Sequence, residues 1–251
     1  MKKTLLQLVQ GILNDADSDN VNSIDDTVEA LQAVEIIRNT YFLMMANRDW
    51  PHTRKLIQLD SAADIDKPNY LKLPERLKRL DLFKYEKQKD GDTRKILEKV
   101  TYMHPDEFLD HISQRNSDNA NVELIEDFSG ARLLIFNNYA PKYFTSFDDE
   151  YLVTDSYDSA VDATLQQDKT QAVAYIVPMW NSEDDFVPDL PIEAFPALEE
   201  EAKSTFFVTI KQVVNQKAEQ NSVRQNRWLA RKAWRAHGGV RYDNYGRKSR
   251  T

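Results

Sequence analysis

Apolar residues recur every three or four positions near the N-terminus, which is the spacing of one face of an α-helix. This spacing predicts a short helix that carries Leu5, Leu6, Leu8, Val9, Ile12 and Leu13. After a polar loop, Ser23 and Asp26 form a capping signature for a second helix, whose predicted core face holds Val28, Leu31, Val34, Ile37, Tyr41 and Met44 or Met45. This helix is expected to end at Trp50-Pro51, because proline disfavours helix in the residue before it.

A single long helix is predicted from Asp189 to His237. Asp189 is its expected N-cap, and Pro191 suits the first turn, where a missing N–H costs nothing. The apolar face of its first half holds Phe195, Leu198, Ala202, Phe206, Thr209 or Ile210, Val213 and Val214. This face fades from Gln216 onward, and Gly238-Gly239 ends the pattern. At ~1.5 Å per residue the helix would be about 65 to 70 Å long, so its second half is expected to project from the domain.

Between the helical ends the pattern changes to short alternating runs that are typical of β-strands. Predicted strands cover 55–59, 70–73, 79–85, 94–100, 122–126 and 131–136, with extended segments at 143–154 and 172–177. Ser129-Gly130 is a predicted hairpin turn, residues 105–114 are the one expected helix, and residues 156–169 fit either helix or strand. The fold class is therefore α+β: a helical bundle formed by the N- and C-terminal helices, an inserted β-rich domain, and an extended C-terminal helix with a tail.

These patterns divide the chain into four parts. Residues 1–52 are the N-terminal helices of the bundle, 53–185 the inserted domain, 186–237 the long helix and 238–251 a basic docking tail. Few core positions fall late in the chain, so deleting residues 221–251 is expected to leave the body folded. Trp50 ends an amphipathic helix beside a proline, and its replacement by alanine is expected to destabilise the fold if the side chain is buried.

Charge is unevenly distributed along the chain. The last 31 residues hold nine Lys or Arg against one Asp, and the remainder holds 24 basic against 40 acidic residues, so the end carries about +8 and the body about −16. Such an end binds either nucleic acid or an acidic protein surface. Cations alternate there with aromatic residues, a combination that often dominates interface energies. The predicted partner-binding residues are Arg224, Arg227, Trp228, Arg231, Lys232, Trp234, Arg235, Arg241, Tyr242, Tyr245 and Arg247.

Signals for catalysis and metal binding are weaker. The chain has no cysteine, which excludes disulfides and thiolate chemistry, and its four histidines are scattered. Asp15, Asp17 and Asp19 alternate like the start of a calcium loop but lack its glycine and its bidentate glutamate, so an acidic loop between helices is favoured. No segment is long and apolar enough for a membrane span, and a soluble, intracellular protein is expected.

A second acidic group could hold Mg²⁺ for phosphoryl chemistry. Its members are Asp148, Asp149, Glu150, Asp155, Asp158 and Asp162. No glycine-rich phosphate loop and no nucleophile elbow accompanies them, and a solvated acidic face is favoured. We therefore expect a protein that is not an enzyme and that uses no metal and no cofactor.

Residues at both ends of the chain carry a resemblance to a known family. They are Val9-Gln10-x-Ile12-Leu13, Val21-Asn22-Ser23-Ile24-Asp25-Asp26, Asn47-Arg48-Asp49-Trp50-Pro51, Asp185-Phe186-Val187-Pro188-Asp189-Leu190-Pro191, Glu200-x-Ala202-Lys203-Ser204 and Trp228-x-x-Arg231-Lys232-Ala233-Trp234-Arg235. In these positions the chain resembles the tail tubular protein A, or head-to-tail adaptor, family of short-tailed bacteriophages. The likeness covers both ends well and the β-rich middle only loosely.

The resemblance implies a structural virion protein at the head–tail interface, made in the host cytoplasm. Members of the family build a helical bundle from both chain ends and form a dodecameric ring beneath the portal protein. That ring continues the DNA channel and offers a surface to the tail nozzle protein. For this chain the resemblance implies that the basic end docks on the portal, that Asp148, Asp149 and Glu150 are candidates for the channel wall, and that DNA passes without specific binding.

Two other functions remain open at this point. The chain could be a DNA-binding or packaging-associated protein that places residues 224–250 on phosphates. It could also be a metal-dependent nuclease that uses the acidic group of residues 148–162.

Overall fold

The chain is divided into two compact units in the computed structural model, which describes residues 2–62, 64–87 and 95–231. The helical unit comprises Met1–His52 and Pro178–Thr251, and the strand unit comprises Thr53–Val177. The sequence places the second boundary after residue 185, and the structure places it after Val177. The predicted α+β class is confirmed, with five α-helices and ten strands among the described residues.

The helices and strands follow one another in this order. They are α1 (Leu5–Asp15), α2 (Val28–Asn47), β1 (Arg54–Ile57), β2 (Asp60–Ser61), β3 (Tyr70–Lys72), β4 (Leu77–Lys87), β5 (Ile96–Tyr102), α3 (Pro105–Ser113), β6 (Val122–Glu126), β7 (Arg132–Phe136), β8 (Tyr143–Thr145), β9 (Tyr151–Thr154), β10 (Thr170–Ile176), α4 (Phe195–Thr209) and α5 (Gln216–Arg231). Short 3₁₀ turns lie at Pro51–Thr53, Gln167–Lys169 and Ile192–Ala194.

Helix α1 forms as predicted. Its start is held by a capping box in which the Thr4 side chain accepts from the Gln7 N–H and the Gln7 side chain accepts from the Thr4 N–H. The face that the spacing predicts is buried, with Leu5, Leu8, Val9, Ile12 and Leu13 each 1% exposed or less. These residues share one core with α2, α4 and α5.

Helix α2 begins four residues later than the capping signature suggests. Thr27 is its N-cap and accepts from the Ala30 N–H at 3.1 Å, whereas Asp26 closes a turn by accepting from the Asn22 N–H at 2.7 Å. The predicted core positions Val28 and Leu31 are wrong, since these side chains are 71% and 45% exposed. The buried face instead carries Ala30, Ala33, Val34, Ile37, Thr40, Tyr41, Met44 and Met45.

The single long helix is also wrong, because the segment forms two helices. A 3₁₀ turn occupies Ile192–Ala194, α4 ends at Thr209, and α5 begins at Gln216. Between them Gln212 takes a left-handed conformation with φ 54°. The predicted core residues Val213 and Val214 lie in this connection and are 60% and 62% exposed. The chain therefore reverses here, and α5 packs back along α4.

The strand unit is built on an eight-stranded sheet with the order β1-β10-β4-β5-β8-β9-β3-β2. All neighbours are antiparallel except β5 and β8, which are parallel. Strands β6 and β7 form a separate hairpin, whose turn is closed by Gly130 with φ 82°. The segment that the sequence leaves open, residues 156–169, is mostly irregular and ends in a 3₁₀ turn.

Candidate partner-binding surface

Helix α5 is held against α4 by its inner face. Asn226 donates from Nδ2 to Glu201 Oε2 at 2.8 Å, and Ser222 donates from Oγ to the same oxygen at 3.5 Å. Leu229 is 6% exposed and joins the core of the helical unit. Asn215 caps the start of α5, since its Oδ1 accepts from the Ala218 N–H at 3.1 Å. One side of α5 is thus fixed within the helical unit.

The opposite side of α5 is open and carries the cations that the sequence singled out. Arg224, Arg227 and Trp228 are exposed there, and the Trp228 side chain is 48% accessible. Their positions i, i+3 and i+4 place them on one stretch of helix surface. We call these three residues the arginine–tryptophan face. Other residues of α5 extend this exposed side of the helix.

Four residues on this exposed side of α5 were missed by the sequence analysis. They are Gln216, Glu219, Gln220 and Val223. All of them lie on the same helical stripe as the arginine–tryptophan face, at spacings of three and four. That spacing is visible in the sequence. Had α5 been recognised as a separate helix packed on one side, the spacing would have placed these four residues among the predicted partner-binding residues. Val223 is 45% exposed and adds an aliphatic side chain to this side of the helix.

The remaining predicted residues of the basic end fall beyond the described side chains. Arg231 is the last residue of α5 and is described by its backbone alone. Lys232, Trp234, Arg235, Arg241, Tyr242, Tyr245 and Arg247 lie outside the described residues.

The acidic channel candidates Asp148, Asp149 and Glu150 lie together in the exposed turn between β8 and β9. Asp148 shapes this turn, because its Oδ1 accepts from the N–H groups of Glu150 at 2.9 Å and Tyr151 at 3.0 Å. Asp149 has φ 60°, a conformation that Asp tolerates better than most residues. The turn therefore presents three carboxylates to solvent.

The other members of that acidic group do not converge on the turn. Asp155 is 1% exposed and pairs with the Arg115 guanidinium, while Asp162 pairs with Lys169. Among residues 2–62, 64–87 and 95–231, no three His, Asp or Glu side chains gather in a way that could hold a metal ion. The structure therefore does not assemble the Mg²⁺ site that residues 148–162 suggested.

Asp155 is the centre of a buried polar network in the strand unit. Its Oδ1 accepts from the Lys142 N–H at 3.0 Å and the Tyr143 N–H at 2.9 Å. Arg115 donates to its Oδ2 at 3.3 Å and stacks over the Phe136 ring at 4.2 Å. Burial lowers the pKa of the Arg115 guanidinium, and the nearby carboxylate opposes this shift. The network ties α3 to β7, β8 and β9.

Hydrogen bonds in the helical unit join residues that lie in, or directly beside, the segments that carry the family resemblance. The Leu5 N–H donates to the Phe186 carbonyl at 2.7 Å, next to the Val9–Leu13 motif. Asp184, which directly precedes the Asp185–Pro191 motif, accepts from the Ile24 N–H at 2.8 Å. His52 Nε2 lies 2.8 Å from the Asp189 carbonyl. The N-terminal part of the chain and residues 184–189 are thus joined by one backbone hydrogen bond and two that use side chains.

Comparison with models of known protein families and with curated protein sequences finds no match. None of the helices in the described part of the chain has the length and apolar character needed to cross a membrane.

Proposed function

We propose that this chain is a structural virion subunit of the head-to-tail adaptor type, a tail tubular protein that docks on the portal and forms part of the DNA channel. The observation that carries the proposal is the exposed arginine–tryptophan face of α5. The opposite side of the same helix is fixed to α4 by Ser222, Asn226 and Leu229. The exposed face is therefore held in a fixed position by the packing of α5. Binding then orders fewer groups, which lowers its entropic cost.

The chemistry of this face suits an acidic protein partner. Guanidinium groups form bidentate pairs with carboxylates, and tryptophan supplies a large apolar area with one hydrogen-bond donor. Trp and Arg are also the residues that most often dominate interface energies. The proposed partner at this face is the portal protein, with the tail nozzle protein binding elsewhere on an oligomeric ring, in which twelve copies are expected from the resemblance.

The arrangement of the helical unit supports the same proposal. Residues from both chain ends build one core, as a bundle of the adaptor type requires. Hydrogen bonds from Leu5 to Phe186, from Ile24 to Asp184 and between His52 and Asp189 lie in or next to the segments that carry the resemblance. In this proposal the exposed turn Asp148–Glu150 is part of the channel wall, where like charge keeps DNA from adhering. The protein has no enzymatic role and uses no cofactor.

The test is to mix the full chain with the portal protein of the same virus and to image the product by electron microscopy. The proposal predicts a ring of copies at the base of the portal. Persistent failure of the two proteins to associate, at concentrations where the free chain remains folded, would overturn it.

A DNA-binding role is the second candidate, and the exposed guanidinium groups of Arg224 and Arg227 are the observation that favours it. A protein that binds several phosphates loses affinity steeply as salt rises, because counterions are released on binding. Titration of labelled duplex DNA with the full chain at several salt concentrations separates the two. The adaptor proposal predicts weak or absent binding, whereas tight, steeply salt-dependent binding would favour the DNA-binding role.

A further inference from the structure

One face of the sheet in the strand unit departs from the usual pattern of an antiparallel sheet. Strands β1, β10, β4 and β5 are neighbours in that order. The inner side packs Ala172, Phe83 and Val100 into the core, each 1% exposed or less. The outer side of such a sheet is ordinarily polar. Here the strand register places aliphatic side chains on it.

The register defines rows of side chains that run across the outer side. Arg54, Tyr175 and Arg79 form the first row, and Leu56, Val173 and Leu82 form the second. Gln171, Lys84 and Lys99 form the third, and Glu86 and Leu97 form the fourth. We call these eleven residues the outer sheet face. Leu56 is 67% exposed and Leu97 is 42% exposed. Val173 and Leu82 are half-buried, and Tyr175 is buried at 4% exposure, so the second and fourth rows carry the apolar groups that reach solvent.

Two cations on this face have no ion-pair partner among residues 2–62, 64–87 and 95–231. Lys84 and Lys99 stand directly opposite each other on β4 and β5. Like charges in directly opposed positions destabilise a sheet. The nearby acids that the structure describes are engaged elsewhere. Glu86 of the fourth row pairs with Lys95, and Asp81, beside the first row, pairs with Arg54 and Arg79. The pair of lysines is thus a cationic spot in a chain whose net charge is −8.

We propose that the outer sheet face is a docking surface for an acidic amphipathic helix of another protein. The Leu56–Val173–Leu82 row crosses three strands, and strands lie ~4.8 Å apart, so the row is about 10 Å wide. That width matches one α-helix with its side chains. The apolar stripe of the helix covers this row, and its flanking carboxylates reach Lys84 and Lys99. The site lies in the strand unit and is independent of the arginine–tryptophan face.

Charge and polarity favour a protein over nucleic acid at this surface. Phosphates find no partners along the aliphatic row formed by Leu56, Val173 and Leu82. The carboxylates of Asp81 and Glu86 lie among the cations, where they would repel a phosphate backbone. An acidic helix with an apolar stripe can cover the aliphatic row and pair with the two lysines at the same time.

The experiment measures binding of two synthetic helical peptides to the full chain by calorimetry. The first peptide has leucines along one face and glutamates beside them, and the second has the same composition in scrambled order. We expect the first to bind at least about tenfold more tightly, with affinity that falls as salt rises. Equal affinities, or no binding of either peptide, would overturn the proposal.

Variants locate the binding on the outer sheet face. Lys84→Glu with Lys99→Glu is expected to weaken binding of the first peptide by at least about tenfold, and Leu56→Ser by several-fold. Lys2→Glu with Lys72→Glu changes the net charge equally at two exposed positions that are not part of this face, and it is expected to leave affinity unchanged. A matching loss in both double variants would show a nonspecific charge effect. Binding of a 20-base-pair DNA duplex is measured in the same way. If the duplex displaces the peptide, and its binding is abolished by Lys84→Glu with Lys99→Glu, the face binds nucleic acid and the proposal is contradicted.

The free chain offers a second, peptide-independent test. Lys99→Glu places opposite charges on the facing positions of β4 and β5, so the melting temperature is expected to rise by about 1 to 3 °C. A lower melting temperature would show that the two lysines do not repel each other and would remove the basis of the proposal.

Discussion

Trp50 shows how one side chain fixes the end of a helix in this protein. It is 4% exposed, and its Nε1 donates to the Met44 carbonyl at 3.0 Å, one of the last carbonyls of α2. The Arg48 guanidinium lies 5.0 Å from the centre of the indole ring. The side chain therefore satisfies a helix-end carbonyl and fills the core of the helical unit at the same time.

Replacing Trp50 by alanine tests this double role. Trp50→Ala is expected to lower the free energy of unfolding by about 3 to 5 kcal/mol, since it leaves a cavity and an unpaired carbonyl. Denaturant unfolding monitored by circular dichroism measures the change. Trp228→Ala, on the exposed side of α5, serves as the control and is expected to cost less than about 1 kcal/mol. An unchanged midpoint for Trp50→Ala would contradict the buried placement.

The Arg115–Asp155 pair is the corresponding residue-scale feature of the strand unit. Its side chains are 5% and 1% exposed, and the carboxylate also accepts from two backbone N–H groups. A buried pair of this kind adds little net stability compared with apolar side chains, but removing one partner leaves an uncompensated charge.

Asp155→Ala is accordingly expected to destabilise the chain by about 3 to 5 kcal/mol. Adding Arg115→Met to Asp155→Ala is expected to recover part of that loss, because the double variant no longer buries a lone guanidinium. Asp118→Ala, at an exposed position of the same unit, is the control. Thermal denaturation of the four proteins completes the comparison. If the double variant is less stable than Asp155→Ala, the charge argument does not hold.

At the scale of elements, local periodicity predicted that most helices and strands exist, but it predicted less well where they end and how the strands are ordered in the sheet. The alternation in β4, β5, β6 and β7 is visible in the sequence, and those strands form close to the predicted ranges. Their arrangement is not visible, because β10 pairs between β1 and β4 through contacts distant in sequence.

The start of α2 was misplaced because Ser23 and Thr27 are both suitable caps. The small side chains of Ala30 and Ala33, which are fully buried, fit the face that begins at Thr27.

The break between α4 and α5 was missed for a physical reason. Residues 210–215 contain neither glycine nor proline, and the helix propensities of Ile and Val are less favourable than that of Ala by well under 1 kcal/mol each. Burial of Leu229 and the bonds to Glu201 outweigh that small difference. Arg224, Arg227 and Trp228 are recognisable by residue type in the sequence, but their common exposed side follows from the packing of α5 on α4, which the sequence analysis did not predict.

Leu229→Ala tests the reversal of the chain at this connection. A Leu229 packed against α4 is expected to lose about 2 to 4 kcal/mol on truncation, whereas in a projecting helix it would lose almost nothing. Val223→Ala, on the exposed side of α5, is the matched control. The same packing changes the outcome for deletion of residues 221–251, which is now expected to lower the melting temperature. Equal stabilities of the two alanine variants would favour a projecting helix.

At the scale of the whole molecule, charge and exposure differ from one surface to another. The body of the chain is acidic and its C-terminal end is basic. The helical unit turns Arg224, Arg227 and Trp228 outward, and the strand unit presents an acidic turn at Asp148–Glu150. An adaptor between a portal and a tail needs such a separation, because it must bind one neighbour firmly and let DNA pass without adhering.

Binding of the full chain to the portal protein, measured with variants of the arginine–tryptophan face, tests the central claim most directly. The triple variant Arg224→Glu, Arg227→Glu and Trp228→Ala keeps the buried face of α5 intact and is expected to lower portal affinity by at least about a hundredfold. The control Lys2→Glu with Lys72→Glu makes the same change in net charge and is expected to bind as the unaltered chain does. Portal binding that survives in the triple variant would contradict the proposed role of α5.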